Sequence, residues 1–331
     1  MEQTHPNGVP LIRDSLDNYG LSPSAQEVLM ASWRTGTTKQ YHTYLKKWLC
    51  YCKENAIDVF RPGVTQGVEF LVSLFRSGLG YSAVNTACSA LSSIIILSDG
   101  SKFGEHPLVC RCLKGIYELR PVLPKCSRIW DVNIVLNFLK TLDFASELSL
   151  KDLSLKLTML LCLTTAQRGQ TICSFDVNYV QEFENKYRIT VMQKLKSSKP
   201  GVHLEPIELQ AFKEDKKLCV FEHLKEYISR TRDLRNGQSQ LLISYTKPHK
   251  PISRNTVSRW TKQVMKSAGL DITIYSSHST RAASTSSCKA KGFSVEEIMK
   301  VAGWSNSGTF ATFYHKPIDN TANFGNMVLQ Q

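Results

Sequence analysis

Residues 275–317 read YSSHSTRAASTSSCKAKGFSVEEIMKVAGWSNSGTFATFYHKP. Ser294 and Glu297 form an S-x-x-E capping box, Phe293 and Ile298 flank it as a hydrophobic staple, and Gly303 supplies a stop about two turns later. The preceding helix is expected to start at Ser276 or Ser277 and to end before Gly292, with Lys289 and Lys291 in its last turn, where cations suit the dipole. Arg281 then falls in the first turn, where a cation opposes the dipole. An anion lodged at the helix N-terminus explains it, because backbone N–H groups and a guanidinium fork grip a phosphate together. His278 stands three residues earlier and shares that face, so both side chains would reach one ligand. Gly303-Trp304 follows, then a short helix from about Thr309 that carries Tyr314. Alone, H-x-x-R is equally the spacing of two ordinary surface residues; its weight comes from the other boxes.

Composition narrows the class. A chain of 331 residues suits two domains, and 42% apolar residues suffice for their cores. A net charge of +13 makes a basic field that attracts a polyanion, nucleic acid first. Apolar runs such as Leu91–Leu97 and Leu160–Leu163 fall far short of the roughly 20 residues of a membrane span. The start, MEQTHPNGVP, lacks a secretory signal pattern, and 10 cysteines without a repeating framework read as reduced thiols. An intracellular location is expected. The C-x-C pairs Cys50/Cys52 and Cys110/Cys112 are too close for structural zinc spacing.

The punctuation gives a mainly α chain with a small antiparallel β-sheet. Residues 1–21 read as a disordered lead, and 22–119 as a helical domain with helices at about Ser24–Arg34, Thr37–Asn55, Thr65–Arg76, Ser82–Leu97 and Pro107–Leu119. The second of these has Tyr41, Leu45, Trp48 and Cys52 on one side and Lys39, Lys46 and Lys47 on the other, either a solvated face or a DNA-facing one. Residues 120–127, with Pro121 and Pro124, form a stiff linker. Beyond it, 128–318 make the second domain and 319–331 a tail. Arg168 sits at a helix start within TTAQRGQTICSF, where it could also be a capped surface arginine. Tyr187–Met192 and Val202–Ile207 read as a hairpin around KLKSSKPG. A helix at about Ser253–Ala268 carries Arg254, Arg259, Lys262 and Lys266, placed to meet phosphates.

With HSTR, AGW and FYHKP in this order and TTAQRGQTI upstream, the chain resembles the tyrosine recombinases of the phage integrase family. Two departures stand out: Trp304 to Tyr314 is one residue longer than the commonest spacing, and Thr171 stands where many members have glutamate. ASWRTGTTKQY, residues 31–41, is similar to recombinases of DIRS-type retroelements. The resemblance implies a core-binding (SAM-like) domain over 22–119 and a catalytic domain over 128–318. It implies a lysine delivered to the scissile phosphate by the small sheet, for which Lys196 is chosen by its place just after the strand, with Lys194 and Lys199 open. A solvated lysine-rich turn is the alternative. Nucleus is the expected compartment in a eukaryotic host and cytoplasm otherwise.

The implied chemistry begins with charge. A phosphodiester's non-bridging oxygens repel a nucleophile, so Arg168 and Arg281 would clamp them while His278 and Trp304 donate to the developing charge. A tyrosine ordinarily ionises near pH 10, so Tyr314 needs cations or a base beside it, and His278 is the candidate. Attack would give a 3′-phosphotyrosyl enzyme and a 5′-hydroxyl protonated by Lys196. No cofactor or metal is expected, since Glu296 and Glu297 belong to helix capping and no other acidic cluster lies in the motif region. The expected partner is double-stranded DNA, bound by a homo-oligomer, a tetramer on two sites, with no membrane. Two other classes remain open at this stage: a non-catalytic helix-turn-helix-like DNA binder, and a type IB topoisomerase-like enzyme.

Overall fold

The computed structural model describes residues 10–17, 19–121, 128–195, 198, 200–201, 204–304, 306–314 and 316–318. The chain divides into two compact units, Met1–Pro124 and Lys125–Gln331, each with its own apolar core.

The first unit is helical: α1 (Pro10–Asp17), α2 (Pro23–Ala31), α3 (Thr35–Asn55), α4 (Val64–Arg76), α5 (Tyr81–Leu91) and α6 (Pro107–Leu119). Ser22 caps α2 through the Ala25 N–H, with Pro23 at the first position, where its missing N–H costs nothing. Leu45, Trp48 and Cys52 form the buried stripe of α3. Trp48 donates its indole N–H to the Val59 carbonyl at 3.0 Å and meets Phe70 edge-on at 5.1 Å. A side chain at Gly67 would lie 2.3 Å from the Phe103 ring, so only glycine lets α4 approach it.

Two expectations fail in this unit. The lead is not disordered over Pro10–Asp17: α1 buries Ile12 completely, and Gln26 of α2 donates to the Asp17 carboxylate at 2.6 Å. The helix spans only Pro10–Asp17, too short for the spacing of Leu11, Ile12 and Leu16 to stand out from the polar residues around it. The fifth helix stops at Leu91 instead of Leu97, because the β-branched run Ile94–Ile96 favours extended backbone, and Ile96 donates instead to the Phe60 carbonyl at 2.9 Å.

The second unit contains α7 (Val132–Thr141), α8 (Leu150–Thr165), α9 (Gly169–Cys173), β1 (Val180–Phe183), β2 (Lys186–Ile189), β3 (Ile207–Gln210), α10 (Val220–Thr231), α11 (Arg254–Ser267), α12 (Ser279–Ala290), α13 (Val295–Ala302) and α14 (Ser307–Phe313). α8 is the axis, buried from Leu153 through Leu163, with α10, α11 and α12 packed on it. Two of its buried polar residues find carbonyl partners, Ser154 donating to Leu150 at 2.6 Å and Lys156 to Asp143 at 3.0 Å just past the end of α7, whereas the buried Thr158 hydroxyl has none.

The sheet is antiparallel in the order β1-β2-β3. Tyr187 pairs with Leu209 and Ile189 with Ile207 on the buried face. On the other face Glu208 bridges Lys186 and Arg188, each at 2.9 Å. The hairpin is therefore displaced from its expected register: β2 ends at Ile189 and the return strand begins at Ile207. Pro206 has no N–H for the ladder, so pairing starts after it. The tail 319–331 and linker residues 122–127 lie outside the described residues.

Candidate active site

Ala166 ends α8 in the left-handed region (φ 49°), a conformation that costs a non-glycine residue roughly 1–2 kcal/mol, and so redirects the chain to make Arg168 the N-cap of α9. Beside it Gln167 donates to the Val301 carbonyl at 2.7 Å, tying this turn to the end of α13. At the other side of the site, Trp130 donates its indole N–H to Ser279 Oγ at 2.8 Å, and the Ser277 and Ser258 hydroxyls lie 2.6 Å apart. These bonds hold the start of α12, where His278 is the N-cap and Arg281 lies in the first turn.

α13 ends as its sequence dictates. Its capping box forms through Ser294 N to Glu297 Oε2 (2.8 Å) and Glu297 N to Ser294 Oγ (3.1 Å). Gly303 takes φ 64°, and the Gly303 and Trp304 N–H groups bond back to the Lys300 and Met299 carbonyls. That turn aims Trp304 inward. Tyr314 lies one residue past α14 rather than within it, as its C-cap. Ser286 of α12 donates to the Tyr314 carbonyl at 2.6 Å and accepts from the Lys316 N–H at 3.2 Å, and the Ile129 N–H donates to the Pro317 carbonyl at 2.8 Å.

The side chains converge. Tyr314 Oη and His278 Nε2 are hydrogen-bonded at 2.9 Å. The Tyr314 ring lies 4.4 Å from that of Trp304, and the Arg281 guanidinium lies 4.4 Å from the Trp304 ring and 5.4 Å from that of Tyr314. Arg281 is only 1% exposed, and Trp304 and Tyr314 are each 8% exposed. Arg281 Nη2 donates to the Ala302 carbonyl at 2.5 Å, while its Nε and Nη1 and the indole N–H of Trp304 have no partner. Burial, and secondarily the charge of Arg168, pull the Arg281 pKa down to about 10, against an upward push from Tyr314. It remains a cation at neutral pH.

His278, Arg281, Trp304 and Tyr314 thus come together, with Arg168 half-exposed and close enough for its charge to reach Arg281. Arg281 lies in the first turn of α12, as expected. Its side chain turns into the core, against the Trp304 ring and the Ala302 carbonyl. Lys196 and Lys199 lie outside the described residues, and Lys194 is exposed. Lys39 and Lys46 are exposed on α3, and Arg254 and Arg259 on α11. Ser286, Trp130 and Gln167 were not legible beforehand: their partners lie between 28 and 149 residues away, and no local pattern marks them. Among the described residues no group of three or more His, Cys, Asp or Glu could hold a metal, and no helix is long and apolar enough to cross a membrane.

A helical unit, a second helical unit bearing a three-stranded sheet, and an arginine, a histidine and a tryptophan gathered on one tyrosine define a tyrosine recombinase. The chain belongs to the phage integrase family, whose profile matches residues 133–319, and is an enzyme that cleaves and rejoins DNA. Solved structures share the fold. XerH site-specific recombinase bound to palindromic difH substrate, a post-cleavage complex, is 13% identical over 93% of this chain and 86% of that one, with a TM-score of 0.60. The Tn1549 transposon integrase in complex with transposon right end DNA is 13% identical over 98% of both chains, with a TM-score of 0.59. A lambda integrase tetramer bound to a Holliday junction is 16% identical over 94% of this chain and 80% of that one, with a TM-score of 0.52. No curated protein matches the chain by sequence.

Proposed function

We propose that this chain is a site-specific recombinase in which Tyr314 is the nucleophile, Arg168, Arg281, His278 and Trp304 hold the scissile phosphate, and a lysine of residues 194–199, Lys196 first, protonates the leaving oxygen. The observation that carries the reading is the set of buried N–H donors without partners, Arg281 Nε and Nη1 and Trp304 Nε1, beside a phenol hydrogen-bonded to His278. A buried unpaired donor costs about 1–3 kcal/mol, a cost that phosphate oxygens would relieve. Because Arg281 is covered, the Tyr314 ring has to shift as the phosphate enters.

In the reaction, Tyr314 Oη bonds to phosphorus and the P–O5′ bond breaks. The phenolic proton passes to His278 Nε2, and the departing oxygen takes a proton from the lysine. The 3′-phosphotyrosyl bond keeps the energy of the phosphodiester, so a second 5′-hydroxyl reverses the step on another strand without ATP. Duplex DNA is the partner, met by Lys39 and Lys46 on α3 and by Arg254 and Arg259 on α11. A tetramer on two sites is the working assembly, by analogy with the lambda integrase tetramer. We place it inside the cell, in the nucleus of a eukaryotic host and otherwise in the cytoplasm. The stretch 31–41 supports kinship with DIRS-type retroelements.

The test is incubation with a nicked duplex that traps cleavage. A denaturation-resistant protein–DNA adduct that disappears in Tyr314→Phe supports the assignment. Salt-sensitive binding by both proteins with no adduct from either would refute it.

A further inference from the structure

The last carbonyls of a helix have no partner inside it, and at the end of α13 all of them find one. Met299 and Lys300 accept from the Trp304 and Gly303 N–H groups at 3.0 and 3.2 Å. Val301 and Ala302 accept from side chains that arrive from other elements. Ala302 takes Arg281 Nη2 of α12 at 2.5 Å, and Val301 takes Nε2 of Gln167, the residue before Arg168, at 2.7 Å. Adjacent carbonyls of one helix end therefore hold both arginine-bearing elements, one through the arginine itself and the other through its neighbour.

Arg168 needs such a hold. Two guanidinium groups that are to share a phosphate repel each other until it arrives, and the Arg168 charge already helps to lower the Arg281 pKa. α9, with the sequence GQTIC, brings no carboxylate to offset that repulsion. The turn does not fix itself either, because Ala166 stands at φ 49°, a region that a residue with a Cβ occupies only at a cost. Gln167 is well placed to hold it. The residue is 6% exposed, and its backbone N–H donates to Thr165 Oγ1 at 3.3 Å, so its amide reaches Val301 from a covered and anchored position.

We infer that Gln167 is a positioning residue for cleavage: through the Val301 carbonyl it holds the Arg168 turn at the spacing from Arg281 that two non-bridging oxygens require. The inference rests on the proposed function for the role of Arg168. The Gln167 amide is engaged by Val301, so it acts through its neighbour. With that bond cut, the turn can relax from the left-handed region and the two cations can move apart. Arg281 stays in place on Ala302, and what is lost is the second guanidinium at the moment negative charge develops on the phosphate.

The experiment measures single-turnover adduct formation by the full chain on two nicked duplexes, one with an ordinary scissile phosphodiester and one with a methylphosphonate in its place. The methylphosphonate is uncharged and has far less need of a second arginine. Gln167→Met keeps the volume and removes the donor. Gln167→Asn keeps the amide on a side chain one methylene shorter, and it takes the place of Gln167→Met if a melting scan shows the latter unfolded. Relative to the parent on the same duplex, the variant is expected to be about 10- to 100-fold slower on the phosphodiester, the scale of a small displacement of a positioned group, and close to the parent on the methylphosphonate. Affinity for an uncleaved duplex, read with Tyr314→Phe added, should be unchanged. Equal losses on the two duplexes, a matching loss of affinity, or no loss on the phosphodiester would overturn the assignment. Arg168→Ala separates this inference from the reading beneath it. Normal cleavage of the phosphodiester by Arg168→Ala removes Arg168 from the proposed site, whereas a defective Arg168→Ala beside unimpaired Gln167 variants removes Gln167 alone.

Discussion

Tyr314 Oη and His278 Nε2 lie 2.9 Å apart, although 36 residues separate them in the chain. Tyr314 is almost covered whereas His278 is exposed, so the imidazole can exchange a proton with solvent while touching the nucleophile. That makes it a base with an exit path. His278→Ala is expected to slow adduct formation by about 10²- to 10⁴-fold, the usual range for losing a positioned general base. Affinity for an uncleaved duplex should change far less. Single-turnover cleavage beside a binding titration checks this, and equal losses in both would show that His278 serves binding only.

Arg281 sets catalysis against stability. A guanidinium at 1% exposure, with one carbonyl partner and the Arg168 charge nearby, is an uncompensated buried cation. Replacing buried charges by apolar groups of similar volume is often stabilising by about 1–4 kcal/mol. Arg281→Met is therefore expected to raise the melting temperature while abolishing the adduct. Arg281→Lys should restore the charge but not the fork, and leave cleavage at least about 100-fold down. A calorimetric scan in which Arg281→Met melts well below the wild type would contradict the stability half of this claim.

How much of this the sequence carried depends on the range of each interaction. The Ser294–Glu297 box and the left-handed Gly303 involve groups within about a turn of each other, so local residue identity specifies them. The shared face of His278 and Arg281 was readable as a spacing, but the direction of the arginine was not. Whether that face looks to solvent or to the core depends on Trp304 arriving beneath it after Gly303, which is a packing outcome. A strand over Val202–Ile207 would run through Pro206, whose missing N–H is visible in the sequence and delays pairing to Ile207. The residues that hold Tyr314 and α12 in place, Ser286 and Trp130, were hidden because serine in an STSS run and tryptophan beside a linker fit many surroundings.

Ser286 holds the backbone at the nucleophile by donating to the Tyr314 carbonyl and accepting from the Lys316 N–H. In Ser286→Ala both bonds go, leaving two backbone groups to find other partners at a cost of about 1–3 kcal/mol. The ring of Tyr314 should then sample positions away from His278. Cleavage is expected to fall by about 10-fold or more at unchanged duplex affinity, because misplacement of a reacting atom by an ångström is costly. Ser286→Thr keeps the hydroxyl and should recover part of the rate. If Ser286→Ala cleaves as fast as the wild type, the clamp does not position the nucleophile.

His223 supplies the pH prediction. It is fully buried on α10, its Nδ1–H donates to the Cys219 carbonyl at 2.8 Å, and its Nε2 has no partner. Burial pushes its pKa down to about 4, the Lys156 charge pushes the same way, and the Cys219 bond opposes them. An unfolded histidine binds a proton near pH 6.5, so between there and pH 4 the unfolded chain holds the extra proton. The contribution is thus fully present above pH 6.5 and is lost as pH falls to about 4. His223→Asn can keep a donor near the Cys219 carbonyl without titrating. The wild type is expected to lose stability relative to this variant across that window, as read by the difference in their unfolding free energies. Carboxylates that titrate in the same range cancel in the difference, so a flat difference would mean that His223 is protonated in the folded state.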